Sequence, residues 1–317
     1  MVMQKGADST RAKAPFGFRV RDRACGRVAD RDNQAEGALF ADGRQDVRYF
    51  GHAEPISRCE KCVQHTRYPA NTLSSTVHPA EVNVKKLAVV FGASRGIGAA
   101  TARCYLANGF EVVGTHRGSG PPEGVQGVEA DVRDQASVRT VFRHARAMSV
   151  ETTLDTVVVN AGIVRQDLLV RMRDEDLREV FETNTFGAFN VVRAAVREMN
   201  RLGGGSIVLV ASESARAGIP GGSHYTASKA ALEGLARSAM WEYGSVGIRF
   251  NVVSPGATET DMFSLVSKEN RAAHVARTPL GRIGRPEEIA SVIYWVSQST
   301  YMTGATIPVT GGEGLGL

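Results

Sequence analysis

From residue 83 onward, short apolar runs alternate with amphipathic stretches of ten to fifteen residues. The runs are Leu87–Phe91, Phe110–Gly114, Thr156–Val159, Ile207–Val210, Ile248–Val253 and Thr306–Val309. Near-continuous β-branched runs are what a strand buried on both faces requires. Between them, apolar positions recur at helical spacing, as in Leu177, Val180 and Phe181 with polar Asn184, or Ala231, Leu235 and Ala239. Strand–helix alternation predicts right-handed crossovers and a parallel sheet covered by helices on both sides. The expected fold is therefore α/β, a doubly wound, Rossmann-type sheet in one domain over residues 83–317.

Residues 1–82 keep no helical or strand period beyond a few positions. Charges of both signs are scattered, as in Arg19-Val20-Arg21-Asp22-Arg23, and Tyr68-Pro69 and His78-Pro79 are loop signals. This segment reads as a flexible extension, or as upstream sequence included by the choice of start codon. Within it, Cys59 and Cys62 form a C-x-x-C pair near His52, His65 and His78. Zinc wants four ligands, and no second C-x-x-C and no pair of histidines three to five residues apart completes the set, so no metal site is assigned.

The 317 residues carry a formal charge of +5. Residues 1–82 hold 13 basic against 10 acidic side chains and residues 83–317 hold 25 against 23, so the folded part is close to neutral. That argues against nucleic acid as its partner. No apolar run approaches the roughly 20 residues needed to cross a bilayer. Four irregularly spaced cysteines make no disulfide scaffold, and the absence of a signal-type apolar segment makes the cytoplasm the default location.

The first apolar run leads into Gly92-Ala93-Ser94-Arg95-Gly96-Ile97-Gly98 and then a helical stretch. Gly92 permits a tight turn off the strand, Gly96 lets backbone approach a pyrophosphate, and Gly98 lets helix and strand pack closely. The helix N-terminus offers unpaired N–H groups to the phosphates. The strand–turn–helix context makes this a dinucleotide-binding turn rather than an ordinary one. At the end of the second strand stands Gly114-Thr115-His116-Arg117-Gly118, with no carboxylate for the ribose hydroxyls of NAD. Arg117 and Arg95 suit the additional phosphate of NADP, so NADP (as NADPH) is the expected cofactor.

Tyr225 and Lys229 lie four apart on an expected helix and project from one face. A nearby ammonium favours phenolate and lowers the ordinary phenol pKa of about 10. So tuned, Tyr225 can give a proton to a carbonyl oxygen as hydride arrives at its carbon. Ser212, at the end of the fourth long apolar run, can hydrogen-bond the same oxygen, with Ser214 as a possible substitute.

With G-x-x-x-G-x-G, Asp131-Val132, Asn160-Ala161-Gly162, Asn184, Ser212, Tyr225-x-x-x-Lys229 and Pro255-Gly256, the chain resembles the short-chain dehydrogenase/reductase family over residues 85–317. The resemblance implies that Asp131 and Val132 flank the adenine and that Asn160, Ala161 and Gly162 line the ribose side. It implies that Asn184 anchors a water relaying protons to Lys229. It also implies that the loop of Pro255, Gly256, Thr258 and Thr260 holds the nicotinamide carboxamide, with residues 261–279 a mobile lid of short helices over the substrate. The segment from Asn160 to Met172 looks like that of β-ketoacyl-acyl carrier protein reductases, and Thr115 to Val132 resembles the mycobacterial long-chain type.

That similarity implies NADPH-dependent reduction of a β-ketoacyl thioester, on acyl carrier protein or CoA, by a homotetramer. The chain departs from the pattern in several places. Gly203 and Val246 stand where carrier-protein-docking basic residues often occur, leaving Arg197, Arg201 and Arg249 as possible substitutes. Gly222-Ser223-His224 precedes the tyrosine, with His224 facing substrate or solvent at a helix start, and Thr310 replaces a usual aspartate. The alternatives are a ketoreductase of polyketide or other secondary metabolism, a general carbonyl or quinone reductase, and a non-catalytic NADP-binding partner or sensor.

Overall fold

The computed structural model describes residues 85–148, 152–264 and 266–314. The C-x-x-C pair and its histidines lie outside them. Seven strands form one parallel sheet: β1 (Lys85–Phe91), β2 (Glu111–His116), β3 (Gln126–Glu129), β4 (Thr152–Val159), β5 (Gly205–Val210), β6 (Ile248–Pro255) and β7 (Thr306–Val309). Their spatial order is β3-β2-β1-β4-β5-β6-β7. The order reverses between β1 and β4, and ligands of open α/β sheets bind in the crevice at the carboxyl ends of such strands.

Six strands coincide with the apolar runs. The additional one, β3, has two exposed residues, a half-buried Val128 and exposed Glu129, and pairs only with β2 at the sheet edge. An edge strand has no need of the continuous apolar run that marks its neighbours.

Alternate residues of the central strands feed two cores. Leu87, Val89 and Phe91 join Val157, Ile207 and Phe250 under α2 (Gln135–Ala147), α4 (Gly187–Leu202) and α6 (Ser223–Tyr243). Ala88 and Val90 join Val158, Val208 and Val253 under α1 (Gly96–Ala107) and α9 (Pro286–Gln298). On that second side, the buried phenol of Tyr105 donates to Ser297 Oγ at 2.7 Å and ties α1 to α9. Such a bond contributes about 1 kcal/mol net.

Helix starts follow local chemistry. Asp134 accepts from the backbone N–H groups of Ala136 and Ser137 and opens α2. Pro286 occupies the first turn of α9, where the missing N–H costs nothing, and Glu288 accepts from the Arg285 N–H at 2.8 Å. The helix through Asn184 is not regular. α3 (Asp174–Phe181) passes through a π-helical turn, Glu182–Phe186, into α4. Single π turns inside α-helices are frequent at functional sites. After β6 come two short helices, α7 (Asp261–Ser264) and α8 (Lys268–Arg277), where lid helices are expected. α5 (Ser214–Ala217) is a single turn following β5.

Candidate active site

A cleft of about 410 Å³ opens at the carboxyl ends of the strands, at the reversal point. Its wall is built from Gly92, Ser94, Arg95, Gly96 and Ile97 of the turn after β1 and Arg117 beyond β2. Asp131, Val132, Asn160, Ala161, Gly162 and Thr260 complete the predicted part of it. The turn itself is held from three sides. Gly92 N–H donates to Thr115 Oγ1 at 2.9 Å, Ala93 N–H donates to the Thr115 carbonyl at 2.8 Å, and Asn160 Nδ2 donates to the Gly92 carbonyl at 2.9 Å. Asn160 thus spends its amide on bracing the turn. Gly92 has φ +80°, and a Cβ on Gly98 would lie 1.9 Å from the Gly92 oxygen. Gly98 therefore lies beneath the turn and outside the cleft wall, as close packing of helix on strand demands.

Thr115 is the functional residue that pattern reading missed. It is 2% exposed, a polar side chain directly after the buried Val112-Val113-Gly114, and that break in the apolar run is the signal that could have found it. Thr183, Asp261 and Met262 also line the cleft, the last two from α7.

No carboxylate stands on the end of β2; Arg117 does, and it is exposed. The carboxylate nearest this rim, Asp131, accepts from Arg133 Nε through both oxygens at 3.0 Å. That pairing, with a smaller contribution from Arg117, holds its pKa below the usual carboxylate range. Arg95 reaches across the mouth to within 3.7 Å of Asp261, an exposed pair that a bound anion could displace at little cost. A glycine cradle with two exposed guanidinium groups on the same cleft fits a dinucleotide.

Tyr225, Lys229, Pro255, Gly256 and Thr258 do not line this cleft; they lie beside and beneath it. Lys229 is 4% exposed. A methyl group built on Gly162 would lie 3.2 Å from both Lys229 Nζ and Asn184 Oδ1, so the two side chains sit directly under the floor. Lys229 Nζ donates to the Val210 carbonyl at 2.8 Å and lies 5.9 Å from the centre of the Tyr225 ring. Burial lowers the lysine pKa to about 8.

For Tyr225 the expected lowering is not what the fold produces. Burial pushes its pKa above the ordinary value, and only a hydrogen bond with Ser212 pulls it back. Ser212 Oγ in turn accepts from Ser214 Oγ at 2.9 Å and from Ser214 N–H at 3.2 Å. Ser214 is thus the positioner of Ser212.

Asn184 joins three segments. Its Oδ1 accepts from Ile163 N–H at 2.8 Å, while Nδ2 donates to the Ile163 carbonyl at 2.9 Å and to Ser228 Oγ at 3.0 Å. Ser228 Oγ donates onward to the Tyr225 carbonyl at 2.7 Å. The relay runs from the cleft floor to the first turn of the helix bearing the tyrosine. Both protons of its amide nitrogen are taken by these protein groups.

Thr258 Oγ1 donates to the Gly256 carbonyl at 2.9 Å, closing its own loop, and Gly256 backs onto Thr310. His224 is not solvent-exposed: it is 3% exposed, and burial lowers its pKa while Asp176 opposes the fall. Among the docking substitutes, Arg249 is committed to the carbonyls of Ser297 and Ser299, and Arg201 pairs with Glu198 at 3.2 Å, whereas Arg197 is exposed. Among the described residues no cluster of potential metal ligands occurs, and no helix is long and apolar enough to cross a membrane.

A family model described as Enoyl-(Acyl carrier protein) reductase matches residues 92–313. The 3-oxoacyl-[acyl-carrier-protein] reductase FabG of Salmonella typhimurium is 38% identical over 237 residues, 72% of this chain and 96% of that protein. FabG of Escherichia coli K12 shows the same identity and coverage. The 3-oxoacyl-[acyl-carrier-protein] reductase MabA of Mycobacterium tuberculosis is 37% identical over 235 residues, 74% of this chain and 94% of that protein. With the glycine turn, the parallel sheet and this similarity together, the chain belongs to the short-chain dehydrogenase/reductase family, close to its 3-oxoacyl-[acyl-carrier-protein] reductases.

Proposed function

We propose that the protein reduces a β-ketoacyl thioester to the β-hydroxyacyl thioester with NADPH. The observation that carries this reading is the grouping of Ser212, Tyr225, Lys229 and Asn184 beneath a glycine-lined dinucleotide cleft. NADPH, when bound, would supply the hydride. The chain's own groups handle the oxygen. Tyr225 holds a proton on its phenol, kept there by burial, and donates it to the substrate carbonyl oxygen. Ser212 accepts from Ser214, so its own proton is directed to the Tyr225 oxygen and to the substrate oxygen that would sit beside it. Lys229, charged and fixed on the Val210 carbonyl, stabilises the phenolate left behind. Gly92, Gly96 and the exposed Arg95 and Arg117 bind the dinucleotide, with the arginines favouring its additional phosphate.

The named activity of FabG and MabA supports a thioester on acyl carrier protein as the substrate. Exposed aromatic side chains, Phe186 at the end of the π turn, Phe189 on α4 and Trp241 (83% exposed) on α6, support self-association, and the homotetramer is the form we infer for it. A screen of acetoacetyl-CoA, acetoacetyl-pantetheine and acetoacetyl carrier protein, beside a quinone and free-ketone panel, followed by NADPH absorbance, tests the reading. Turnover confined to the quinones or free ketones, or absent throughout, refutes it.

A further inference from the structure

Residues 310–314 converge on three parts of the site. Thr310, at the exit of β7, packs against Gly256; a Cβ on Gly256 would lie 2.9 Å from its Cα. Gly311 and Gly312 follow with φ of +65° and +97° and lie against the exit of α8. Methyl groups there would meet Thr278 at 2.7 Å and Pro279 at 2.7 Å. The Leu280 N–H donates to the Gly311 carbonyl at 3.2 Å.

Glu313 then turns back onto α8. Its buried Oε1 accepts from His274 Nδ1 at 3.0 Å and from Arg277 Nε and Nη2 at 3.2 and 3.1 Å. Gly314 (φ +75°) abuts Glu213, the neighbour of Ser212; a methyl group on it would fall 1.9 Å from Glu213 Oε1. Glu213 is itself pinned by its N–H to the Pro255 carbonyl at 2.8 Å. α8 in turn bears on the cleft. His274 packs edge-on against Phe263 of α7, with ring centres 5.5 Å apart, and α7 supplies Asp261 and Met262 to the cleft wall.

We propose that residues 311–314 form a clamp, with Glu313 as its grip, that holds α8 against the loops of Ser212 and Gly256 and so sets how firmly the acyl thioester is retained. Glu313 is a positioning residue: it touches no reacting atom and acts through α7 and α8. Burial and the Glu313 charge together raise the Glu213 carboxyl, so the two carboxylates oppose each other and the clamp depends on His274 and Arg277.

The substrate half of this inference rests on the reductase reading, whereas the mechanical half does not. The test is hydrogen exchange of Lys268–Arg277 in the full chain, wild type against Glu313→Gln, Glu313→Ala and Arg277→Ala, with Michaelis parameters alongside. Loss of charge-assisted hydrogen bonds should speed exchange in α8 by about tenfold or more in both alanine variants, less in Glu313→Gln, with β5 amides unchanged. KM for acetoacetyl-pantetheine should rise several-fold with kcat not reduced. Unchanged α8 exchange in Arg277→Ala and Glu313→Gln overturns the clamp, as does a fall in kcat at constant KM. Should Glu313→Ala also expose β5, the milder pair decides. Faster α8 exchange in a protein that reduces no thioester keeps the mechanical clamp and rejects the reductase reading instead.

Discussion

Lys229→Met should abolish reduction and yet stabilise the protein at neutral pH. The fall of the lysine pKa from 10.5 to about 8 is caused by burial of the charge. It corresponds to about 3 kcal/mol of destabilisation while the group stays protonated, at ~1.4 kcal/mol per pH decade. Methionine fills the same volume without a charge. It leaves the Val210 carbonyl without its donor, at a cost of about 1–3 kcal/mol. The net gain is about 1 kcal/mol, or ~2–4 °C in Tm for a domain of this size. The sign with pH follows from proton counts. Between about 8 and 10.5 the unfolded wild type holds a proton that the native state has released. Wild-type stability therefore rises with pH through that window relative to the variant. Denaturant unfolding at neutral pH and at about pH 10 measures both margins, and the methionine advantage should shrink and then reverse. A variant less stable than wild type by one constant margin at both values would show that the ammonium carries no burial cost, and the reasoning would fail.

Tyr225→Phe should lower kcat by about 10²–10⁴-fold while NADPH binding, read by fluorescence, stays intact; an unchanged rate would remove the phenol from the chemistry. Arg117→Ala should raise the KM for NADPH about tenfold or more and leave that for NADH unmoved, since only one charge-assisted contact is lost; equal changes for both would refute the phosphate assignment. Ser214→Ala should cut kcat several-fold with KM unchanged, because it frees the Ser212 hydroxyl without removing it, and Ser214→Thr should restore the rate.

Most of the architecture is legible in the sequence because a strand buried on both faces has no choice of side chain. Val89, Val158, Val208 and Leu209 announce themselves through neighbours that are equally apolar. The same logic hides β3, three of whose four residues are exposed and whose pairing comes from β2 alone. The glycine turn is legible because Gly92 and Gly98 meet backbone, and no other residue fits there. The supports of the site are not legible in this way. Thr115, Ser214 and Glu313 act across 23, 2 and 39 positions of chain, and only the first two leave any local trace. The expected lowering of the Tyr225 pKa failed for a related reason: spacing puts an ammonium nearby, but burial is a property of the whole fold and here outweighs it. Arg249 shows the converse, a surface-type residue drawn inward by two carbonyls.

The relay through Asn184 has a direction. Ser228 gives its one proton to the Tyr225 carbonyl, so it can only accept from the side chain above it, and the Ile163 carbonyl can only accept as well. An aspartate at 184 would have the same shape and would set oxygen against oxygen at both contacts. Hydrolysis of this single carboxamide, the ordinary chemical ageing of asparagine, would reverse the polarity of the joint and let the tyrosine helix drift from the floor it stands on.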